Sequence, residues 1–143
     1  MSAGYSGTPL PRKLGIRDGA VVAAVGAPDH FVDLLRPMPP GVRMRMDLRG
    51  RGPFDVMVVF VRSERELRSR FDRARARLHP AGGLWVAWPK QSSPLATELK
   101  DSHVRAHGLS TGLVDNKVCA IDDDWSGLRF VVRVEDRPVP TKR

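Results

Sequence analysis

Gly26 closes the apolar run 21–25, and Asp47 follows it by 21 positions. In a strand–turn–helix nucleotide fold, a glycine at such a turn lets the backbone approach a cofactor. An acidic residue about twenty positions further on accepts hydrogen bonds from ribose hydroxyls. Here the turn reads Gly26-Ala27-Pro28-Asp29-His30, with one glycine and a proline that lacks a backbone donor. The Gly26–Asp47 pair keeps a nucleotide-like ligand open, while Pro28 argues against a continued glycine-rich loop.

Lys90 ends the apolar run 84–88 just past Pro89, and Gln91, Ser92 and Ser93 follow it. A lysine ahead of a serine-rich helix start suits an anion, because both the charge and the free amides attract it. Trp125 stands in a polar loop beside Ser126, so it either folds back onto the sheet, the preferred reading, or marks a partner surface. Trp85 and Trp88 lie three apart on one strand and must face opposite sides, one in the core and the other free to line a cleft. His103 and His107 have the i, i+4 spacing of metal ligands but lack a third ligand, so they read as solvated helix-end histidines. Asp122, Asp123 and Asp124 resemble a calcium loop by charge alone. No nucleophile motif, P-loop or CxxC pair occurs, so no catalytic and no metal residue is assigned.

These residues sit in a chain of 143 residues with a net charge of +8, most of it arginine. That length suits one domain with its own hydrophobic core, taken as residues 1–136, with 137–143 as a disordered basic tail. Cys119 is the single cysteine, which rules out an intrachain disulfide and reads as a small buried thiol. No leader pattern opens the sequence and no apolar run nears the ~18 residues of a membrane span, so the cytoplasm is the expected location and no membrane partner is expected. The positive charge invites nucleic acid or anionic metabolites. However, no aromatic residues are interleaved with the arginines, so nucleic acid is not the favoured partner.

The order of elements follows from the apolar pattern. Thr8 and Pro9 open a short helix that stops at Gly15, and residues 20–25 form a strand buried on both faces. Asp29 caps a helix holding Phe31, Leu34 and Leu35, which "PMPPG" ends. Val42, Met44 and Met46 alternate with Arg43 and Arg45 as a half-exposed edge strand, and residues 55–61 form the most apolar strand. Only six residues, 48–53, separate these two strands, which is short for a parallel crossover. Either a stretched loop makes the return or the edge strand runs antiparallel; the stretched loop is preferred.

Ser63 and Glu66 have capping-box spacing, and Leu67, Phe71, Ala74 and Leu78 make one apolar stripe among many arginines. "HPAGG" is expected to stop this helix, and residues 84–88 to form the next strand. A further helix is expected over 93–106. Strands over 116–121 and 128–134 then form a hairpin joined by "DDDWSG". The alternation specifies an α/β fold: a mostly parallel Rossmann-like sheet with flanking helices and a C-terminal β-hairpin.

The run "FDVMVVFV", the helix after it, "LHPAGGLWVAWPK" and the final hairpin resemble the second half of class I S-adenosylmethionine-dependent methyltransferases. In that superfamily an L-x-P-G-G-x-hydrophobic entry into a strand is frequent, and here it stands as Leu78, Pro80, Gly82, Gly83 and Leu84. The resemblance implies a truncated methyltransferase-like core lacking one strand and one or two helices. It implies S-adenosylmethionine as the cofactor, against the lost glycines at Ala27-Pro28 and the missing Asn/Asp-Pro-Pro-aromatic motif after the third strand. At a finer level "GYSGTPLPRKLGI", "LWVAWPK" and "VCAIDDDWSGLRFVVR" are similar to an uncharacterised family of small, mainly actinobacterial proteins classed as a domain of unknown function, which implies no activity.

The sequence therefore favours a non-catalytic protein that binds a small anionic or nucleotide-like ligand, or a protein partner, at the carboxyl edge of its sheet. The binding residues expected there are Gly26, Pro28, Asp47, Lys90, Ser92 and Trp125. The alternatives are an S-adenosylmethionine-dependent methyltransferase and a nucleic-acid-binding protein using the arginine-rich helix. No feature fixes an oligomeric state.

Overall fold

The computed structural model describes residues 7–49 and 52–138. Helix α1 (Leu10–Leu14) starts behind Pro9 and ends at Gly15, whose φ of 81° suits the left-handed cap. It leads to β1 (Val21–Val25), α2 (Phe31–Leu34), β2 (Arg43–Arg45) and β3 (Phe54–Phe60). Helix α3 (Glu64–Arg75), β4 (Leu78–Pro89), α4 (Asp101–Ser110), β5 (Val114–Ala120) and β6 (Trp125–Val131) complete the order. The α1 and α2 cap positions fall on Pro9 and His30 rather than Thr8 and Asp29, without side-chain cap bonds.

The six strands form one sheet in the order β2-β1-β3-β4-β6-β5. Strands β2, β1, β3 and β4 are mutually parallel, and β6 runs antiparallel to both β4 and β5. The edge strand β2 is thus parallel to β1, and the short connection to β3 makes its return with no helix among its described residues. Leu48 in that connection is held by the Arg77 guanidinium, which donates to its carbonyl at 2.6 Å.

Parallel strands covered on both faces must be apolar on both, and β1 and β3 are buried along nearly their whole lengths. Trp85 packs on one face with Leu14, Phe31, Phe60 and Trp125. Trp88 packs on the other with Leu67, Phe71, Val104 and Phe130 from α3, α4 and β6. The two tryptophans do face opposite sides, and both are buried.

Several expected boundaries move, among them the end of α4 at Ser110 rather than 106 and the end of β6 at Val131 rather than 134, and three of the shifts have a clear local reason. Helix α3 ends at Arg75, and Leu78 with "HPAGG" belongs to β4, pairing Leu78 with Phe54 and then Gly83 with Val56 across a register shift. Gly82 permits this bulge, since a Cβ there would lie 2.6 Å from the Asp55 carbonyl oxygen. The helix expected over 93–106 begins only at Asp101. Ser93 Oγ and Thr97 Oγ1 accept the backbone N–H groups of Leu95 and Leu99, at 3.0 and 3.1 Å, and these local bonds compete with helix formation. Trp125 is the first residue of β6 rather than a loop residue, paired with Pro89 and 2% exposed. The capping box is half as expected: Ser63 Oγ accepts from Glu66 N at 3.1 Å, while the Glu66 carboxylate takes Arg62 N at 2.8 Å instead of Ser63 N. Of the tail, residues 139–143 lie outside the described residues. Before them, Val134–Asp136 make a 3-10 turn and Arg137 Nε donates to the Val132 carbonyl at 3.1 Å.

Candidate functional site

From β1 the chain crosses through α2 to β2 on one side; from β3 it crosses through α3 to β4 on the other. The connections leaving the paired carboxyl ends of β1 and β3 therefore diverge, and in open α/β sheets ligands bind in the crevice between such connections. A cleft of about 350 Å³ opens there. Gly26, Ala27 and Pro28 form one wall, Phe60 and Arg62 continue from β3, α3 contributes Glu66 and Arg70, and Trp125 closes it from β6.

Gly26 has φ 70°, a conformation other residues adopt at a cost. A Cβ on it would overlap the Arg70 guanidinium, 2.9 Å from Arg70 Cζ, and would lie 3.1 Å from the Phe60 carbonyl oxygen. Arg70 is held there because its Nη1 donates to that carbonyl and its Nη2 lies 3.4 Å from Glu66 Oε2. Arg62 stands differently: its guanidinium rests 5.5 Å from the centre of the Trp125 ring, and among the described residues no carboxylate lies within 4.0 Å of it. The Trp125 ring meets Phe60 edge-on at 5.1 Å, and Phe60 meets Phe31 at 4.9 Å. The buried Trp125 Nε1 has no hydrogen-bond partner among the described residues.

The hairpin loop fixes Trp125. Asp122 Oδ1 accepts the N–H groups of Asp124 and Trp125, both at 2.8 Å, and its Oδ2 lies 2.7 Å from His30 Nε2. Asp124 accepts from Ser93 Oγ at 2.7 Å, and its carbonyl takes Lys90 N at 2.8 Å. The aspartates thus tie the loop to the starts of α2 and of the segment before α4. Among the described residues no group of three or more His, Cys, Asp or Glu is placed to hold a metal ion.

Of the six residues expected at the carboxyl edge, Gly26, Pro28 and Trp125 share the cleft. Asp47 does not line it; its carboxylate accepts Arg49 N at 2.9 Å. Lys90 lines a separate cleft with Trp88, and Ser92 is exposed while its neighbour Ser93 is the buried serine. Sequence reasoning missed Arg62, Glu66 and Arg70. Arg62 had a signal, since it follows directly from the carboxyl end of a parallel strand. Arg70 had none separating it from the solvated arginines around it.

Those arginines are partly committed. Arg68 sits 3.6 Å from Glu64, Arg75 donates to the Thr111 carbonyl at 2.8 Å, and Arg77 holds Leu48, leaving Arg65 and Arg73 as exposed cations of the run. His103 accepts Lys100 N at 2.9 Å, and His107 Nε2 lies 2.9 Å from Asp72. His107 is not solvated as expected: its ring, with 16% of the side chain exposed, packs edge-on against Phe71 at 5.1 Å. Burial pushes the Cys119 thiol up, partly opposed by Lys13 and Lys117. Among the described residues no helix is long and apolar enough to cross a membrane.

The sheet order, the switch-point cleft and the terminal antiparallel strand define a Rossmann-like fold of the methyltransferase type. The chain is similar in structure to an N-methyltransferase, NodS, from Bradyrhizobium japonicum (TM-score 0.55, 16% identity, 85% of this chain and 90% of that one). It is also similar to a putative type 11 methyltransferase from Sulfolobus solfataricus (TM-score 0.58, 10% identity, 94% of this chain and 95% of that one). A possible exported protein from Bordetella parapertussis matches at TM-score 0.59 and 13% identity over 86% of this chain, which spans 64% of that one's length. No protein-family model matches the sequence, nor does any curated protein. At these identities the likeness establishes the fold.

The sequence resemblance implies S-adenosylmethionine, and the residues at the switch point do not fit it. The glycine is there, but the side that a glycine leaves open is covered by Arg70, the next two residues are Ala27 and Pro28, and Asp47 is turned onto Arg49 N.

Proposed function

We propose that this chain binds a small ligand bearing a carboxylate or phosphate in the switch-point cleft, without methyl transfer. The observation that carries this reading is Arg62, a guanidinium at the cleft with no carboxylate within 4.0 Å among the described residues, resting on a buried tryptophan whose N–H has no partner among them. Arg70 adds a second guanidinium, and Glu66 offsets one of the two charges, so the cleft keeps a positive excess. Guanidinium forks match carboxylate and phosphate geometry, and charge-assisted bonds of this kind are about twice as strong as neutral ones. A volume of about 350 Å³ is at the small end for a ligand site.

The second reading is an S-adenosylmethionine-dependent methyltransferase, and the fold neighbours support it more directly than they support anion binding. The covered glycine supports the first reading. Calorimetry on the full chain separates them, with inorganic phosphate, adenosine monophosphate, S-adenosylmethionine and S-adenosylhomocysteine as probes. The anion reading expects heat with a phosphate probe and at least roughly tenfold weaker binding in Arg62→Ala, the loss of about 1.4 kcal/mol. Tight binding of S-adenosylmethionine and its demethylated product, with no phosphate binding, would overturn it in favour of the methyltransferase.

A further inference from the structure

The two edges of the sheet are built differently. At one end β2 is three residues long and presents exposed Arg43 and Arg45 around Met44, and short, charged edges discourage strand pairing. At the other end β5 is seven residues long, with a bulge between Asp115 and Lys117, and among the described residues it has no strand neighbour beyond it. One residue past its centre stands Val118, 62% exposed.

Val118 is not an isolated surface valine. It pairs with Leu128 on β6, which pairs with Val86 on β4, so an apolar row runs from the buried core out to the edge. The neighbouring row runs from Trp88 through Ser126 to Ala120. A cleft of about 330 Å³ lies over this face, with Trp88, Leu128 and Val118 among its lining and with Lys90 and Lys100 at its margin. Among the described residues neither lysine has a carboxylate within 4.0 Å, whereas Arg105 beside them is held by Asp115 at 3.0 Å and Asp101 at 3.9 Å. On the opposite face of β5, Lys117 Nζ donates to the Lys13 carbonyl at 3.1 Å and Cys119 is half-buried. One face of this edge is therefore tied to α1, and the other is apolar with two unanswered positive charges.

We infer that the β5 edge receives an extended acidic peptide segment of a protein partner, added to the sheet as a further strand. Backbone bonding to a free edge supplies affinity in this mode, and alternate side chains supply specificity. A strand laid about 4.8 Å beyond β5 places every second side chain over the cleft face. An apolar residue there covers Val118, and a glutamate two positions to either side, the longer of the two acids, is directed over the cleft that Lys90 and Lys100 line. The occupant is thus a segment reading acid-x-apolar-x-acid. It does not depend on the anion proposed for the switch-point cleft, which has other residues.

The test is fluorescence anisotropy on the full chain with a labelled peptide Ser-Glu-Ser-Val-Ser-Glu-Ser. Its counterparts are a peptide N-methylated at alternate residues, one with lysine for glutamate, and a single-stranded oligonucleotide. Binding of the acidic peptide is expected, with at least a tenfold loss on N-methylation, in Lys90→Glu/Lys100→Glu, and in Val118→Asp. All three positions are at or near the surface, and a circular dichroism spectrum verifies that the variants fold. No peptide binding at about 1 mM, the weak end of specific recognition, overturns the inference. Equal binding of the N-methylated peptide overturns strand addition. An oligonucleotide that binds as tightly, with the same dependence on Lys90 and Lys100, replaces the peptide by a polyanion.

Discussion

If Arg70 is seated on Gly26, the two residues must be energetically coupled, and a double-mutant cycle reads that coupling. In Gly26→Ala the new Cβ takes a positive φ, which costs about 1–2 kcal/mol in strain and regains part of that from the stiffer unfolded chain, for a net of roughly 1 kcal/mol. The same Cβ evicts the guanidinium and breaks its bond to the Phe60 carbonyl. Such a charge-assisted bond contributes about 1.5–3 kcal/mol, discounted here to roughly 1–2 because 29% of the Arg70 side chain is exposed. Gly26→Ala should then cost about 2–3 kcal/mol and Arg70→Ala about 1–2. With Arg70 already gone only the strain remains, so the double variant should fall no lower than about 2–3, a coupling of roughly 1–2 kcal/mol. Urea unfolding followed by tryptophan emission suits the measurement, because Trp85, Trp88 and Trp125 are all buried in the native fold. Additivity within about 0.3–0.5 kcal/mol would refute the seating of Arg70 and reopen the cleft to a cofactor.

Two further predictions concern the packing around the site. Gly108 in α4 faces Phe130, and a Cβ there would overlap a ring that is itself wedged edge-on against Phe71 at 5.4 Å. Gly108→Ala should therefore lower the melting temperature by roughly 3–7 °C, overpacking of about 1–3 kcal/mol outweighing up to about 1 kcal/mol of helix propensity; a rise in melting temperature would show that the ring gives way freely. Burial raises the Cys119 thiol above 9.0, so the folded state holds that proton more tightly than the unfolded chain. The associated stability is complete below the ordinary value and falls as pH climbs toward the raised one, so wild type should lose more urea resistance than Cys119→Ala as pH rises through that value, and identical pH profiles would remove the effect.

The sheet was legible in the sequence because its signals are local: Val21–Val25 and Phe54–Phe60 are apolar on both faces, as a covered parallel sheet requires. The direction of β2 was legible only as a preference, since six connecting residues fit both a parallel and an antiparallel return, and the preferred stretched loop is the one found. Boundaries were lost where a side chain competes with the backbone, as at Ser93 and Thr97, or where two glycines permit a bulge, as at Gly82 and Gly83. In the site, Gly26 and Pro28 could be placed because a turn is written in neighbouring residues. Asp47 drew attention by its distance from Gly26, but a spacing does not say where a carboxylate turns, and this one turns to the next loop amide. Arg70 could not be found at all, because its partner carbonyl at Phe60 lies ten residues away on another element.

Arg70 also accounts for an oddity that the sequence left standing: a lone glycine at the end of β1, followed by Ala27 and Pro28 rather than by further glycines. A glycine retained for a cofactor would be expected to keep its open side clear. Here that side meets a guanidinium anchored at two points, to the end of β3 and to Glu66 one helical turn earlier. The need for a bare backbone at this point is therefore satisfied within the chain. What remains accessible at the switch point is Arg62 on Trp125, and it is on this cation that the proposed anion reading, rather than the sulfonium cofactor of the second reading, rests.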